Sequence, residues 1–358
     1  MKIGKHTSHQ SNCNCGRVDE WNCKRMRDGR RLYLPEVLNK GEKMKTVFLY
    51  AGQGSQKTGM GKDFYEAFPS YRAVIDSLEL SFDLKEMMHE GELAALSRTE
   101  YTQPCMAAFA AGVTAVLKEE GMLPDAVCGL SLGEYGALHA AGIYDVKDYV
   151  KITEFRGREM AHAAEGRVCS MSAVLGMEAS VVEKVCAQCE DAGFVKLVNY
   201  NCPGQYVICG DEPAVAAAET MLKEKGAKRC IRLNVSGPFH TKYMEPAGKA
   251  LRAFLEEIPF AEPQMNITMN VTGDFYRPSE NLKELLEAQI QNSVHFESQI
   301  LRFIEAGADI FVEIGPGNTL TGFVKKTAKE AGKKITAYTI DRAEDLKALI
   351  AKKEEIFS

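Results

Sequence analysis

Gly129-Leu130-Ser131-Leu132-Gly133 is the segment whose residue types and spacing best suit chemistry. It follows an apolar run, Ala126-Val127-Cys128, and leads into a helix-forming stretch at 134–141. A serine at a strand-to-helix turn is held in strained backbone with its hydroxyl pushed outward. The flanking glycines keep a Cβ away from the neighbouring strand and helix. The helix start behind the serine presents unpaired backbone N–H groups that suit a negative oxygen. The spacing therefore points to a nucleophile and part of an oxyanion hole. The competing reading is a buried serine in a Gly-rich turn, and only a base, a second oxyanion donor and a specificity group would separate the two.

The elements around this turn predict an α/β fold. A strand at 46–51 leads into the loop Gly52-Gln53-Gly54-Ser55-Gln56, which lacks the Gly-Lys-Ser/Thr end of a nucleotide-binding loop. Helices are expected at 103–121, 134–141 and 145–164, the last capped by Asp145, with the elbow strand at 126–130. The rhythm then changes to strand 168–175, helix 179–192, strands 194–200 and 205–209, helix 212–225 and strand 229–235. That order is the ferredoxin-like β-α-β-β-α-β signature. A helix at 240–257, a strand at 264–271, helices at 282–292 and 297–306, a strand at 309–314, a helix to 329 and a last helix at 341–356 follow. The expectation is a hydrolase-like parallel-sheet core (44–166 and 236–358) with an inserted ferredoxin-like subdomain (167–235).

Composition narrows the function classes. The chain has 358 residues, 45% of them hydrophobic, ample for a core. No apolar run approaches the ~20 residues that cross a bilayer, and no apolar core of a secretory signal stands near the start. The net charge is −5 with scattered basic residues, so no nucleic-acid partner is expected. Eleven cysteines, among them Cys105, Cys128, Cys169 and Cys230 in apolar periodic segments, read as the small hydrophobes of a reduced, cytoplasmic protein. Cys186 and Cys189 form a C-x-x-C on a helical face, read as two packed thiols. Residues 1–43 are polar and basic. His6, His9, Cys13, Cys15 and Cys23 match no familiar zinc spacing, so no metal is expected, and the stretch is read as a disordered leader or non-native extension. Met44 reads as a natural beginning that runs directly into a strand.

Six strings in order carry a resemblance: Ala51-Gly52-Gln53-Gly54-Ser55-Gln56, Gly129 through Tyr135, Glu154-Phe155-Arg156-Gly157, Asn201-Cys202-Pro203-Gly204-Gln205, Ser236-Gly237-Pro238-Phe239-His240 and Glu313-Ile314-Gly315-Pro316-Gly317. Over about residues 44–350 the chain resembles the malonyl-CoA:acyl-carrier-protein transacylases of bacterial fatty acid synthesis. The resemblance implies that Ser131 is the nucleophile and His240 its base, with no carboxylate in the pair. The backbone carbonyl of Gln289 would orient the imidazole. The N–H groups of Gln53 and Leu132 would receive the oxyanion. Arg156 would grip the free carboxylate of a malonyl group through two parallel hydrogen bonds. Phe239 resembles the residue of malonyl-selecting members and argues against methylmalonyl donors, and Asn201 would line the cleft. Two positions depart from the family: Ser293 stands where many relatives have proline, and Leu130 where many have histidine.

The implied reaction is a ping-pong transfer of malonyl from malonyl-CoA to the phosphopantetheine thiol of acyl carrier protein. No cofactor is expected, and a monomer suffices. An acidic carrier protein needs a local basic patch, for which Lys325 and Lys326 are candidates. The alternatives are a discrete acyltransferase loading a polyketide synthase and a carrier-binding module with a dead site. A hydrolase is disfavoured, because the acyl-enzyme of a transferase excludes water and Arg156 suits a carboxylated donor.

Overall fold

The computed structural model describes residues 22–25, 31–34, 44–233 and 237–357. The chain divides into two units, Met1–Glu42 and Lys43–Ser358. In the first, strands β1 (Asn22–Arg25) and β2 (Arg31–Leu34) pair antiparallel, Asn22 opposite Leu34. The expected leader contains this hairpin; His6, His9, Cys13 and Cys15 lie outside the described residues.

The second unit opens with β3 (Thr46–Tyr50), buried at every position, as a strand covered on both faces must be. Four short helices follow, α1 (Lys62–Ala67), α2 (Pro69–Asp76), α3 (Leu84–His89) and α4 (Leu93–Leu96), then the long α5 (Thr99–Glu119). The sequence reading missed the four short helices and started α5 a turn late. Strand β4 (Ala126–Gly129) runs into α6 (Leu132–Ala140), and α7 (Val146–Ala164) is capped by Asp145, whose side chain accepts from the Asp148 N–H.

Next come β5 (Cys169–Leu175), α8 (Ala179–Gln188), β6 (Val195–Cys202), β7 (Gln205–Asp211), α9 (Glu212–Glu224) and β8 (Arg229–Arg232). Their antiparallel sheet has the order β6-β7-β5-β8, the ferredoxin-like arrangement. Its strands obey the period of two. Val174, Leu197 and Ile208 join a private core with Val182 and Leu222 of the two helices, while Ala173, Val198 and Val207 join the main core.

The chain then returns through α10 (Glu245–Glu256), β9 (Asn266–Ile267), α11 (Leu282–Gln291), α12 (Phe296–Ala306), β10 (Ile310–Ile314), α13 (Thr319–Glu330), β11 (Thr336–Ile340), α14 (Ala343–Ile350) and α15 (Lys353–Phe357). The main sheet is parallel throughout, in the order β11-β10-β3-β4-β9. The fold is α/β, a parallel-sheet core with a small antiparallel subdomain.

Three expectations are corrected here. The helix expected over 240–257 begins only at Glu245, after a 3₁₀ turn at Lys242–Met244, and His240 lies outside it with φ 61°. The strand expected over 264–271 pairs with β4 only at Asn266–Ile267; Thr268 then bridges antiparallel to Phe275, and the Asn270 N–H turns to Glu134 Oε1. The final helix breaks in two, and β11 went unread because only Ile340 of that strand is fully buried, leaving no apolar run.

Candidate active site

Ser131 sits between β4 and α6 with φ 54° and ψ −104°, a backbone region that costs an L-residue of order 1–3 kcal/mol. Packing dictates its neighbours. A Cβ on Gly129 would lie 2.0 Å from the Gly133 carbonyl carbon, and one on Gly133 would lie 1.9 Å from the Tyr50 carbonyl oxygen. Glycine is thus the only residue that lets strand, turn and helix close this tightly. Ser131 and His240 are the only non-glycine residues with positive φ among the described residues.

The Ser131 hydroxyl lies 2.7 Å from His240 Nε2. On the far side of the ring, Nδ1–H donates to the Gln289 carbonyl at 2.8 Å. A carbonyl can only accept, so the proton sits on Nδ1 and Nε2 carries the lone pair. The His240 N–H also donates to the Ile290 carbonyl at 3.1 Å, which ties the loop to the end of α11. Burial and the Arg156 charge push the imidazole down to about 4, against the pull of the Gln289 and Asn292 backbone. The ring is therefore neutral near pH 7 and free to accept a proton.

Arg156 reaches the same point from α7 and is 1% exposed. Its Nη1 donates to Gln103 Oε1 at 2.7 Å, and its Nη2 to Gln289 Oε1 at 3.0 Å and to Ser131 Oγ at 3.2 Å. The guanidinium lies 5.0 Å from the Tyr135 ring centroid, a cation–π contact. Its Nε has no acceptor among the described residues. Burial pushes the nearby Glu134 carboxyl up to about 8, against the pull of the Asn270 N–H and of the Arg156 charge. Gln289 serves all three groups, since its Nε2 also donates to the Ser131 carbonyl at 2.6 Å.

The first loop is pressed against the elbow: a Cβ on Gly52 would meet the Leu130 carbonyl oxygen at 2.5 Å. Gln53 Nε2 donates to Thr99 Oγ1 and Gln56 Nε2 to Ser97 Oγ, fixing the loop to the start of α5. Among the described residues neither the Gln53 nor the Leu132 backbone N–H has a protein acceptor. Two unengaged donors beside a serine hydroxyl suit a negative oxygen.

These groups open into a cavity of about 480 Å³ between the parallel core and the antiparallel subdomain. Gln53, Ser131, Arg156, Phe239 and His240 line one wall and Asn201 the other. The ring of Phe239 is buried against Gly237, where a Cβ would approach it to 2.8 Å. Asn201 is 6% exposed and its Oδ1 has no partner among the described residues. Ser293, in place of the family's proline, donates to the Leu197 carbonyl at 2.8 Å and stitches the subdomain to the core without displacing the Gln289 carbonyl. Lys325 and Lys326 are exposed on α13. Two groups that touch the reacting residues were missed in the sequence, Gln103 and Asn270. A glutamine in an apolar helix and an asparagine in a strand-like run carry no signal of their own.

No described helix is long and apolar enough to cross a membrane. No cluster of three or more metal-binding side chains occurs among the described residues. A serine with strained backbone, a neutral imidazole, two free N–H donors and a buried cation in one cleft define an acyltransferase of the α/β type. The sequence matches the acyl transferase domain over residues 47–350, and the chain belongs to that family. A malonyl CoA-acyl carrier protein transacylase of Bacillus subtilis is 39% identical over 285 residues, 79% of this chain and 90% of that protein. The crystal structure of a malonyl CoA-acyl carrier protein transacylase from Clostridium perfringens matches with a TM-score of 0.82 at 36% identity, over 87% of this chain and 98% of that one. A malonyl-transacylase solved in complex with a type II PKS acyl-carrier protein matches with a TM-score of 0.81 at 32% identity, over 86% of this chain and 99% of that one.

Proposed function

We propose that this enzyme transfers malonyl from malonyl-CoA to the phosphopantetheine thiol of acyl carrier protein, supplying fatty acid synthesis. His240 Nε2 takes the Ser131 proton as Oγ attacks the thioester carbonyl. The oxyanion of the tetrahedral intermediate is received by the Gln53 and Leu132 N–H groups, each worth roughly 2.7–4 kcal/mol in the transition state. Collapse expels CoA, which takes the proton from the imidazolium, and leaves malonyl-Ser131. The carrier thiol then attacks the ester with His240 as base, the same steps in reverse. One chain carries every group the cycle uses, and the cycle calls for no metal or redox cofactor. We take the enzyme to be a cytoplasmic monomer and residues 167–235 to be its separately cored subdomain. Lys325 and Lys326 are the proposed guides for an acidic carrier protein.

The observation that carries this reading is the buried guanidinium of Arg156 beside Ser131: among the described residues it donates only to neutral oxygens, and its Nε has no acceptor. A malonyl carboxylate supplies the missing charge, whereas an acetyl group leaves the cation unpaired. Phe239 narrows the space for a branched acyl chain. The test is mass spectrometry of the Ser131 peptide after mixing with malonyl-CoA or acetyl-CoA. A malonyl ester that holo-carrier protein then removes is the expected result. An unmodified serine, or an acetyl ester formed as readily, would refute it.

A further inference from the structure

The catalytic cycle makes no use of Asn270, yet this residue is wholly buried and both ends of its side-chain amide are engaged at the elbow. Its Oδ1 accepts from the Ser131 N–H at 2.7 Å, and its Nδ2 donates to the Gly129 carbonyl at 2.7 Å. Exchanging the amide oxygen and nitrogen would set donor against donor and acceptor against acceptor, so the partners fix its orientation. Its backbone N–H donates to Glu134 Oε1 at 2.6 Å, and its carbonyl accepts from the His295 N–H at 2.9 Å. Glu134 lies in the first turn of α6, immediately behind the serine. One side-chain amide thus ties the peptide groups on both sides of Leu130, and the helix start holds the backbone that carries it.

Strained backbone persists only where its surroundings over-determine it. The Ser131 ψ also sets the direction of the Leu132 N–H. We propose that Asn270, held by Glu134, is a positioning residue: it keeps the 129–131 turn in its left-handed bend, so that Ser131 Oγ and the Leu132 N–H face one carbonyl group. This rests on the serine acyl-transfer reading but not on the identity of the acyl group. Without Asn270, the Ser131 N–H and the Gly129 carbonyl lose their buried partners and the turn can relax.

The test uses the full chain and two acyl donors, malonyl-CoA and p-nitrophenyl acetate, which has neither CoA nor a carboxylate. Acylation rates are taken per folded molecule, with the folded fraction measured by circular dichroism. Asn270→Ala is expected to slow acylation by both donors roughly 10- to 100-fold, with KM for malonyl-CoA within about twofold of the parent. Asn270→Asp supplies a readout that a merely structural role would not move. A protonated carboxyl reproduces both bonds, whereas an ionised one turns a charge on the Gly129 carbonyl. Its acylation rate should therefore rise from about pH 7 to about pH 5, between the range in which the neighbouring Glu134 titrates and that of His240, where the parent is flat. Asn270→Ala acylating within about threefold of the parent would overturn the proposal. So would an Asn270→Asp profile like the parent's, which decides the matter if Asn270→Ala does not fold. A parent that reacts with the ester but not with malonyl-CoA refutes the malonyl reading and leaves this one standing.

Discussion

The two walls of the cleft are built on opposite terms. On the core wall, Ser131, His240, Arg156, Gln289 and Asn270 are interlocked by short hydrogen bonds, and the strained backbone is concentrated there. On the subdomain wall, Asn201 faces the cavity with an unengaged oxygen, and the sheet behind it has its own hydrophobic core. Bonds between the subdomain and the core run from the Tyr200 N–H to the Val294 carbonyl, the Val294 N–H to the Val198 carbonyl, Ser293 Oγ to the Leu197 carbonyl, and the Tyr206 and Tyr243 hydroxyls to Glu297 and Asp211. The groups proposed for the chemistry are thus cross-linked on one wall, while the facing wall rests on a core of its own.

Mutations can break this contrast, and the core wall should suffer most. Ser131→Ala is expected to cut transfer on the order of 10⁶-fold, the scale of losing the serine of a Ser–His site. Single-turnover acylation checks it. Arg156→Ala should lower kcat/KM for malonyl-CoA by roughly 10²-fold, because a desolvated charge pair is lost. The acetyl-CoA rate should change far less, so an unaltered malonyl-to-acetyl ratio would refute the role of the guanidinium.

A pH titration sharpens the comparison more gently. Acylation should stay flat down to about pH 5 and fall by half near the His240 value of about 4. The sign for stability is the same. His240 titrates lower in the folded protein than its usual 6.5, so the unfolded chain takes up this proton first. The contribution to stability is complete above about pH 6.5 and is lost as pH falls toward about 4, as urea midpoints would record. The smallest effect belongs to the seam. Ser293→Ala should cost about 1 kcal/mol of stability, read from the same midpoints, with the malonyl-to-acetyl ratio unchanged.

The elbow could be read directly, because the glycines at 129 and 133 answer a local steric demand visible in five residues. The ferredoxin-like order was equally legible, since short strand-forming runs and longer helix-forming runs follow one another between clear turns. Arg156 and His240 could be placed only through resemblance, because one arginine in a helix and one of seven histidines have no local distinction. Asn270 was invisible for a further reason. Its role arises from the sheet order, which lays the segment after β9 beside the β4 turn, and such a neighbourhood is a property of topology.

The left-handed serine carries a practical corollary for handling the enzyme. Glycine adopts that conformation freely, so Ser131→Gly exchanges reactivity for resilience. The inert variant should melt above the parent in a thermal-shift assay, by an amount that gauges what evolution gave up to keep a hydroxyl in that bend. It would also be a robust decoy for trapping a loaded carrier protein before turnover.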